Sequence, residues 1–568
     1  MTIKSTITAI ACLSFFTFAA LPEMRITTKN SAEPQSKNGG TCQGAWTNSG
    51  MSTHIFDYIA VTNFQLTGSA ADLTKTPALN DSIYIRLRGN STADAAKKPY
   101  RIKFDKKVSL IDKNKEPAKS WALLANFYDG TFALNAMAFE MGKKMGLDFT
   151  NSSQLVDLYI NNQYKGIYQL TEQIQSNKRS VDLRDKHNGW LVEFDYHAPA
   201  SDECLRAYVV DKNGYNITSF IKAPELDDMD NPKDSTQLRF VKNDLKKLID
   251  KMKESSFPNN GYRDLIDLES FAKYVLIQLV LDNFDFNSKT QAGGLPGSNF
   301  LYRIDDCSKI QAGPLWDFDL AAGVQNNGGG GGGFGGWPGM PGQGGGAAGF
   351  PSHYQSYQDP VAPTSQNYSH IFYRRLWEDP VFKAKYKKLW DKHKSDFQSM
   401  GTYIDNIKSQ VSGSVTGKGN NTWANNSMMG GTLTQQQFDT EVSGFKTWLN
   451  NRINYVEQEL RNIDTSKDIA ESSLVCEDEK TPQQPQLPSP IKLQIAGING
   501  ILAIKNGVNL QVQKSASLDI YTLSGKLQKS LNFGSGVYNV PLGDLPKGMY
   551  IAKVSFGDGV KVLRVPVM

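Results

Sequence analysis

The sequence predicts an α+β chain that ends in a separate all-β domain, and three patterns support this fold class. Apolar and polar residues alternate over 82–88 and again over 100–104, as they do in half-buried strands. Apolar residues over 134–145 instead recur at helical spacing. From Ile491 onward, short alternating segments are separated by turns, which is typical of a small β-sandwich.

Local signals place the other elements. A helix is predicted over about 130–145, with Asp129 as its N-cap. Two strands then flank the turn Asn161-Asn162 and predict a hairpin. Further helical segments are predicted over residues 262–281, over 372–377 with 382–390, and over 442–460.

A chain of 568 residues has room for two or more domains. A Gly-rich stretch cannot bury apolar area, and a segment crowded with Gln and Pro is typical of a linker. We therefore predict a signal peptide at 1–20, a flexible N-terminal segment at 21–45, a main domain at 46–475 with a Gly-rich insertion at 326–349, a linker at 476–490 and a β-sandwich at 491–568.

The first twenty residues have the pattern of a secretory signal peptide. Lys4 precedes an apolar stretch at 7–18, and Ala19-Ala20 offers a small-residue cleavage site. The stretch is too short to span a bilayer, so we expect an exported chain with no stable membrane span. Export also favours disulfides. A bridge between Cys42 and Cys476 would join the ends of the main domain, but the four cysteines outside the signal peptide leave three pairings open.

The charges of the chain nearly balance. The net charge of +5 is the difference between 62 basic and 57 acidic residues, so we predict no nucleic-acid partner. The densest basic run lies at 97–107. It would form either a solvated strand face or a surface suited to the phosphates of a nucleotide.

Two acidic segments carry the strongest chemical signal. The sequence NFDFN at 283–287 follows an apolar run, and GPLWDFD at 313–319 begins with a turn. Carboxylates beside apolar elements are costly to hold unless they are paired, hydrogen-bonded or bound to a metal. Phosphotransfer sites need such carboxylates to orient a hydroxyl and to hold Mg²⁺. The alternative is a pair of solvated Asp-rich turns.

Four more motifs precede these segments in the chain, and together they resemble the CotH-type kinases. They are RLRGNST at 86–92, KKPYRIKF at 97–104, WALLANFYD at 121–129 and GIYQLTE at 166–172. The resemblance covers roughly residues 50 to 400. It implies an atypical, two-lobed protein-kinase-like fold that transfers the γ-phosphate of ATP, with Mg²⁺ or Mn²⁺, to Ser or Thr of a secreted or surface protein.

The same resemblance assigns roles around the nucleotide. Lys103 is placed to grip the α- and β-phosphates, with Arg101 as its rival on the same strand face. Glu140 is the candidate to pair with that lysine. Glu172 would mark the hinge near the adenine or ribose, whereas Arg179 would form a structural ion pair.

The acidic segments supply the remaining candidates. Asp285 would accept or orient the proton of the acceptor hydroxyl, with Asp282 as the alternative. Asp317 and Asp319 lie two residues apart and can share a metal, and we favour Asp317 as its main ligand. The candidate metal-binding amides are Asn287 and Asn299, and the insertion between them leaves the choice open.

The C-terminal domain resembles the sorting domains of type IX secretion substrates, through LDIYTLSGK at 518–526 and LPKGMYIAKV at 545–554. This resemblance implies the export machinery as a partner. Two other functions stay open, since a fold does not fix an activity. The chain would then be an inert kinase-like surface adhesin or structural protein, or a carbohydrate-associated surface protein.

Overall fold

The structure is a computed structural model, and part of the chain is described in it. The described residues are 20–42, 51–68, 73–75, 82–89, 91–184 without 94 and 96, 188–195, 207–209, 218–223, 236–287, 297–323, 325–326, 351–361 without 353, 355 and 360, 371–417, 435–470, 500–504, 507–512, 515–522, 526–556 and 559–567. The predicted signal peptide, Gly-rich insertion and linker lie almost wholly outside these residues.

The chain divides into two compact units, Met1–Cys476 and Glu477–Met568. The division falls where the linker is predicted to begin. The strands of the first unit are β1 Glu23–Thr28, β2 Ser36–Cys42, β3 Met51–Phe56, β4 Ile59–Thr67, β5 Leu73–Lys75, β6 Ile83–Leu87, β7 Tyr100–Val108, β8 Ala118–Leu124, β9 Gln154–Ile160, β10 Gln163–Glu172, β11 Trp190–Phe194, β12 Ala207–Val209, β13 Thr218–Ala223, β14 Asn299–Arg303, β15 Gln311–Ala312, β16 Gln325–Asn326 and β17 Pro351–Ser352. Its helices are α1 Leu134–Lys144, α2 Thr236–Lys253, α3 Leu268–Val280, α4 Phe284–Asn287, α5 Ile371–Leu376, α6 Pro380–Gly417 and α7 Gln435–Leu460.

Seven strands of the first unit close into a barrel. Their order is β1-β9-β10-β8-β7-β6-β4, and β1 pairs with β4 to complete the circle, while β5 extends the sheet beyond β4. β1 runs parallel to β9 and antiparallel to β4. Closure removes the exposed sheet edges, and the alternate inward side chains fill the interior as a separate apolar core.

Barrel closure corrects one prediction. We expected a flexible segment at 21–45, but Glu23–Thr28 forms the closing strand. Its side chains alternate between the barrel core and the outside, with Met24 and Ile26 buried. The segment looks polar in the sequence because only every second residue has to be apolar in a strand with one buried face.

The larger core of the first unit lies among the helices and a five-stranded sheet with the order β12-β13-β11-β14-β15. Helix α1 begins at Leu134, four residues later than predicted. The N-cap position is Ala133 rather than the predicted Asp129, but the Asp129 carboxylate still accepts from the backbone N of Leu134 at 2.9 Å and of Thr131 at 2.8 Å. The predicted hairpin is present as β9 and β10.

The second unit contains β18 Gly500–Ile504, β19 Gly507–Val512, β20 Ala516–Thr522, β21 Leu527–Phe533, β22 Gly536–Pro541, β23 Gly548–Phe556 and β24 Gly559–Val567. They form a three-stranded sheet, β18-β19-β22, and a four-stranded sheet, β21-β20-β23-β24. Buried residues of both sheets share one apolar core. The whole chain is therefore of the α+β class.

Two observations bear on the environment of the chain. No helix in the described ranges is long and apolar enough to cross a membrane. Cys307 is disulfide-bonded. The other cysteines lie outside the residues whose side chains are described, so the Cys42–Cys476 bridge stays a prediction.

Candidate active site

The two acidic segments meet at the end of α3. The Asn283 side chain donates from Nδ2 to the backbone O of Asp317 at 3.2 Å and to Oε1 of Gln278 at 2.9 Å. The backbone N of Phe284 donates to the backbone O of Leu320 at 3.1 Å. These bonds hold the segments side by side, although about thirty residues of sequence separate them.

The segment that carries Asp317 and Asp319 is fixed from two sides. The backbone N of Phe318 donates to Oδ1 of Asn135, near the start of α1, at 2.9 Å. The Ser298 hydroxyl donates to Oδ2 of Asp317 at 3.3 Å. Asp317 has a φ of +61°, a left-handed conformation that is uncommon for residues other than Gly and concentrates at functional sites.

The three carboxylates of this cluster share one electrostatic environment. Burial, followed by the charge of Asp317, raises the pKa of Asp285 to about 7. Burial also raises the pKa of Asp319 well above its usual value, and the nearby Asp317 and Asp285 add to the shift. Asp317 thus contributes to the raised pKa of both Asp285 and Asp319, as expected when carboxylates lie close together.

The donor chemistry of the cluster fits a hard cation. As the side chains stand, no group of three or more His, Cys, Asp or Glu residues in the described part of the chain is close enough to hold a metal ion. The carboxylates nevertheless raise one another's pKa, and a bound cation would relieve this mutual repulsion. Carboxylate oxygens are the ligands that Mg²⁺ and Mn²⁺ prefer, so Asp317 and Asp319 are the residues that would hold such an ion.

Arg88, which follows β6, supplies the cation of the site. Its guanidinium lies over the ring of Trp316, 5.1 Å from the centroid. Burial lowers its pKa, and the charges of Asp317 and then Glu193 oppose that shift. An arginine stays protonated under these conditions and presents a planar set of donors that matches a phosphate.

The expected lysine–glutamate pair is not formed. Lys103 is exposed on β7, with its Nζ 5.9 Å from the centroid of the Tyr58 ring. Glu140 lies on α1, and its partner is Lys143 at 4.0 Å. Arg101 donates to Oγ of Ser120 at 3.3 Å and lies near Arg88. A lysine on the outer barrel face therefore does not meet the helix that carries Glu140.

Glu172 has a structural role rather than the predicted place at the nucleotide. Its carboxylate accepts from Nε of Arg179 at 2.9 Å and from the backbone N of Ser152 at 2.6 Å. Both side chains are buried. The Arg179 guanidinium also donates to four backbone carbonyls between β7 and β8, those of Ile111, Asp112, Lys115 and Glu116. The predicted structural ion pair of Arg179 is thus present, and it occupies Glu172.

The structure describes the side chain of only one of the two candidate metal-binding amides, Asn299 and Asn287. Asn299 is buried; its Oδ1 accepts from the Tyr274 hydroxyl at 2.9 Å, and its Nδ2 donates to the backbone O of Gly297 at 2.7 Å. These bonds fix the start of β14 beside Ser298. The side chain of Asn287 lies outside the described ones, so its role as a metal ligand stays a prediction.

Three residues of the candidate site were missed at the level of sequence. Arg88 was considered only as part of a Gly-containing turn, and Asn283 and Ser298 were given no role. Alternation along β6 was the available signal for Arg88, because it places Arg86 and Arg88 on one face. For Asn283 and Ser298 the sequence offers no comparable signal, since their contacts depend on long-range packing.

A comparison with curated proteins finds no match to this chain. A family model does match. The model is described as CotH kinase protein, and it aligns with residues 85–456, which is more than half of the chain and includes every residue of the carboxylate cluster. The chain therefore belongs to the CotH kinase family.

Proposed function

We propose that the chain is an ATP-dependent kinase that phosphorylates Ser or Thr of a secreted or surface protein. The observation that carries this proposal is the cluster of Asp285, Asp317 and Asp319, in which Asp319 is buried and the other two are half-buried, with Arg88 beside it. Phosphoryl transfer relies on positioning and on neutralising the phosphate oxygens, and this arrangement offers groups for both tasks.

Asp285 is the proposed acceptor of the proton of the hydroxyl. A catalytic base works best when its pKa lies near the operating pH, and burial together with Asp317 brings the pKa of Asp285 to about 7. The backbone around Asp285 is tied down, because its carbonyl accepts from the backbone N of Gly297 at 3.1 Å. The backbone that carries this carboxylate is thus fixed by a contact with the start of the following segment.

Asp317 and Asp319 are the proposed metal ligands, and Asn287 remains a candidate third ligand. A bound Mg²⁺ or Mn²⁺ would neutralise the phosphates of ATP. Arg88 is the proposed phosphate contact, in place of Lys103. The barrel and the helical part are the proposed two lobes of a kinase-like fold, since Arg88 belongs to the barrel and the carboxylates to the helical part.

Export is part of the proposal and rests on the sequence. The pattern at 1–20 supports a signal peptide, and the resemblance of the second unit to type IX sorting domains supports delivery to the cell surface by that machinery. The two sheets of the second unit and their shared core support its description as a β-sandwich.

The test is a pair of isosteric substitutions that fail differently. Asp317→Asn removes a charge that the metal needs, so metal-dependent ATP affinity and phosphate transfer should both fall. Asp285→Asn should still bind ATP with Mg²⁺, while transfer falls by about two orders of magnitude, the usual scale for a general base. The measurements are ATP affinity by calorimetry, and transfer of labelled γ-phosphate to a generic acceptor.

Glu140→Gln is the matched control, because Glu140 is a half-exposed acid outside the cluster. It should leave affinity and transfer unchanged. If the purified chain binds no ATP in the presence of Mg²⁺ or Mn²⁺, or if neither Asp substitution changes transfer, the kinase assignment is wrong and the inert surface protein becomes the better description.

A further inference from the structure

A row of cations leads away from the carboxylate cluster along the outer face of the barrel. Ile83, Ile85 and Leu87 of β6 point into the barrel, so Arg86 lies on the outside. In the register of β6 and β7, Arg86 is opposite Arg101 and Tyr84 is opposite Lys103. We call Arg86, Arg101 and Lys103 the basic strip.

The basic strip is not neutralised by the described part of the protein. None of its three cations forms an ion pair there. The Nε atoms of Arg86 and Arg101 are buried without a hydrogen-bond partner, and the one described side-chain bond of Arg101 goes to Oγ of Ser120 at 3.3 Å. Burying a guanidinium donor without a partner is costly, and an anion beside the other nitrogens of these guanidinium groups would offset part of this cost.

Aromatic rings lie beside two of these cations, Arg86 and Lys103. The Arg86 guanidinium lies 5.1 Å from the centroid of Tyr58 and 5.7 Å from that of Phe56, and Nζ of Lys103 lies 5.9 Å from the Tyr58 centroid. Tyr58 is 39% exposed, so solvent reaches this end of the strip. Stacking against a ring fixes an arginine without using its N–H donors, which stay available to a ligand.

The strip is continuous with the proposed active site. Arg86 and Arg101 are close enough to Arg88 for their charges to lower its pKa, after the larger effect of burial, while the charge of Asp317 raises it. Along β6, Arg88 and Tyr84 are four residues apart, a distance of about 13 Å in a strand. An extended peptide of about four residues spans the same distance.

We propose that the basic strip binds acidic side chains of the acceptor protein, about two to five residues away from the Ser or Thr that is phosphorylated. This inference rests on the proposed kinase function. A triphosphate beside Arg88 would cover only one end of the row, and adenosine carries no negative charge for the other cations. An extended acidic segment matches both the length and the charge of the strip.

The test uses three synthetic peptides that differ only in four consecutive residues next to a single serine, which are glutamates, glutamines or lysines. For the full chain with Mg²⁺ and ATP, kcat/KM for the glutamate peptide should exceed that for the glutamine peptide by about tenfold, since a few exposed ion pairs add up to that factor. Added salt should reduce the preference.

Variants connect the preference to the strip. The double variant Arg86→Gln with Lys103→Gln should lower kcat/KM for the glutamate peptide to the value of the glutamine peptide, which itself should stay unchanged. Arg86→Lys should retain most of the preference, because it keeps the charge. Lys106→Gln with Lys107→Gln is the control, as it removes the same two positive charges from exposed positions of β7.

Binding separates this inference from the kinase assignment. Anisotropy of a fluorescent glutamate peptide, measured without ATP, should show weaker binding to the double variant than to the unaltered chain, even if no transfer is detected. Equal binding of the three peptides, or a preference for lysine, would overturn the inference and leave the kinase proposal standing. Loss of ATP affinity in the double variant would also overturn it, by assigning the strip to the nucleotide.

Discussion

Burial governs the charge of Lys97, which lies between β6 and β7 in the run that we considered as a solvated strand face. The residue is only 3% exposed, and its Nζ donates to the backbone O of Ile167 at 2.6 Å. Burial lowers its pKa from 10.5 to about 7, although Asp129 and Asp157 act in the opposite direction. Lys97 is thus a core residue of the barrel end, and its charge is costly there.

The sign of the resulting pH dependence follows from linkage. In the unfolded chain Lys97 keeps its proton up to about pH 10.5, whereas in the folded chain it releases the proton near pH 7. Between these values the unfolded state binds more protons, so the contribution of Lys97 to the free energy of unfolding rises with pH. Below pH 7 its destabilising effect is full and constant.

Lys97→Met should therefore change the shape of the stability profile. The free energy of unfolding of the unaltered chain, minus that of the variant, should increase between pH 7 and 10, by at most about 1.4 kcal/mol per pH unit. Urea denaturation at several pH values measures this difference. Lys98→Met is a control at the adjacent position, and a flat difference for Lys97→Met would mean that Lys97 keeps its charge in the folded chain.

At the scale of elements, the end of α3 is the structure that positions the acidic segments, and a buried arginine holds it. Arg452 of α7 is fully buried, and it donates to the last carbonyls of α3, those of Leu279 at 2.5 Å and Val280 at 3.3 Å. The same guanidinium donates to the backbone O of Tyr357 at 2.9 Å and of Asp359. A cation at a helix C-terminus satisfies free carbonyls and complements the helix dipole.

Arg452→Met should lower the free energy of unfolding by about 3 kcal/mol or more, because the carbonyls of Val280, Tyr357 and Asp359 lose their guanidinium donor. Arg452→Lys should recover part of this loss, since lysine offers three donors. The denaturation midpoint of each variant in urea gives the comparison. Arg461→Met is the matched control, an exposed arginine just after the same helix. A loss equal to that of the control would contradict the capping role of Arg452.

Elements that form from local signals could be predicted, and those that depend on distant pairing could not. The β9–β10 hairpin follows from alternation around Asn161-Asn162, and α3 follows from its apolar run. Closure of the barrel joins β1 to β9, strands that are more than a hundred residues apart. The entropic cost of closing a loop depends only weakly on its length, so β1 could pair with many other strands at a similar cost. A single sequence therefore does not show which distant strand is the partner.

The residues of the candidate site also divide into those that local sequence patterns predict and those that only the packing of distant segments identifies. Both acidic segments were predicted, because carboxylates beside apolar runs require an explanation. The pairing of Lys103 with Glu140 was wrong, since strand alternation identifies a face but not the element that the face meets. Arg88 emerged only when packing placed it over Trp316 and beside Asp317.

At the scale of the whole molecule, the division after Cys476 separates two units that each have their own core. Units of this kind generally fold independently, because few contacts cross the segment between them. The residues that could make the proposed kinase site all belong to the first unit. Stability and ATP binding of that unit should therefore not depend on the second, whereas delivery to the cell surface should.

A chain that ends at Cys476 tests this independence. Calorimetry should show that it unfolds in one transition, with a Tm within about 2 °C of the corresponding transition of the full chain. If the second unit does not stabilise the first, the free energy of unfolding changes by well below about 1 kcal/mol, and in a unit of this size such a change shifts the Tm by no more than about 2 °C. Its ATP affinity should be unchanged, and it should be absent from the surface of cells that display the full chain. A chain that ends at Gly417 is the control, since it lacks α7 with the buried Phe445, Trp448 and Arg452, and it should lose cooperative unfolding. If the chain ending at Cys476 loses it as well, the two units stabilise each other and the boundary predicted from the Gln- and Pro-rich segment does not separate independent domains.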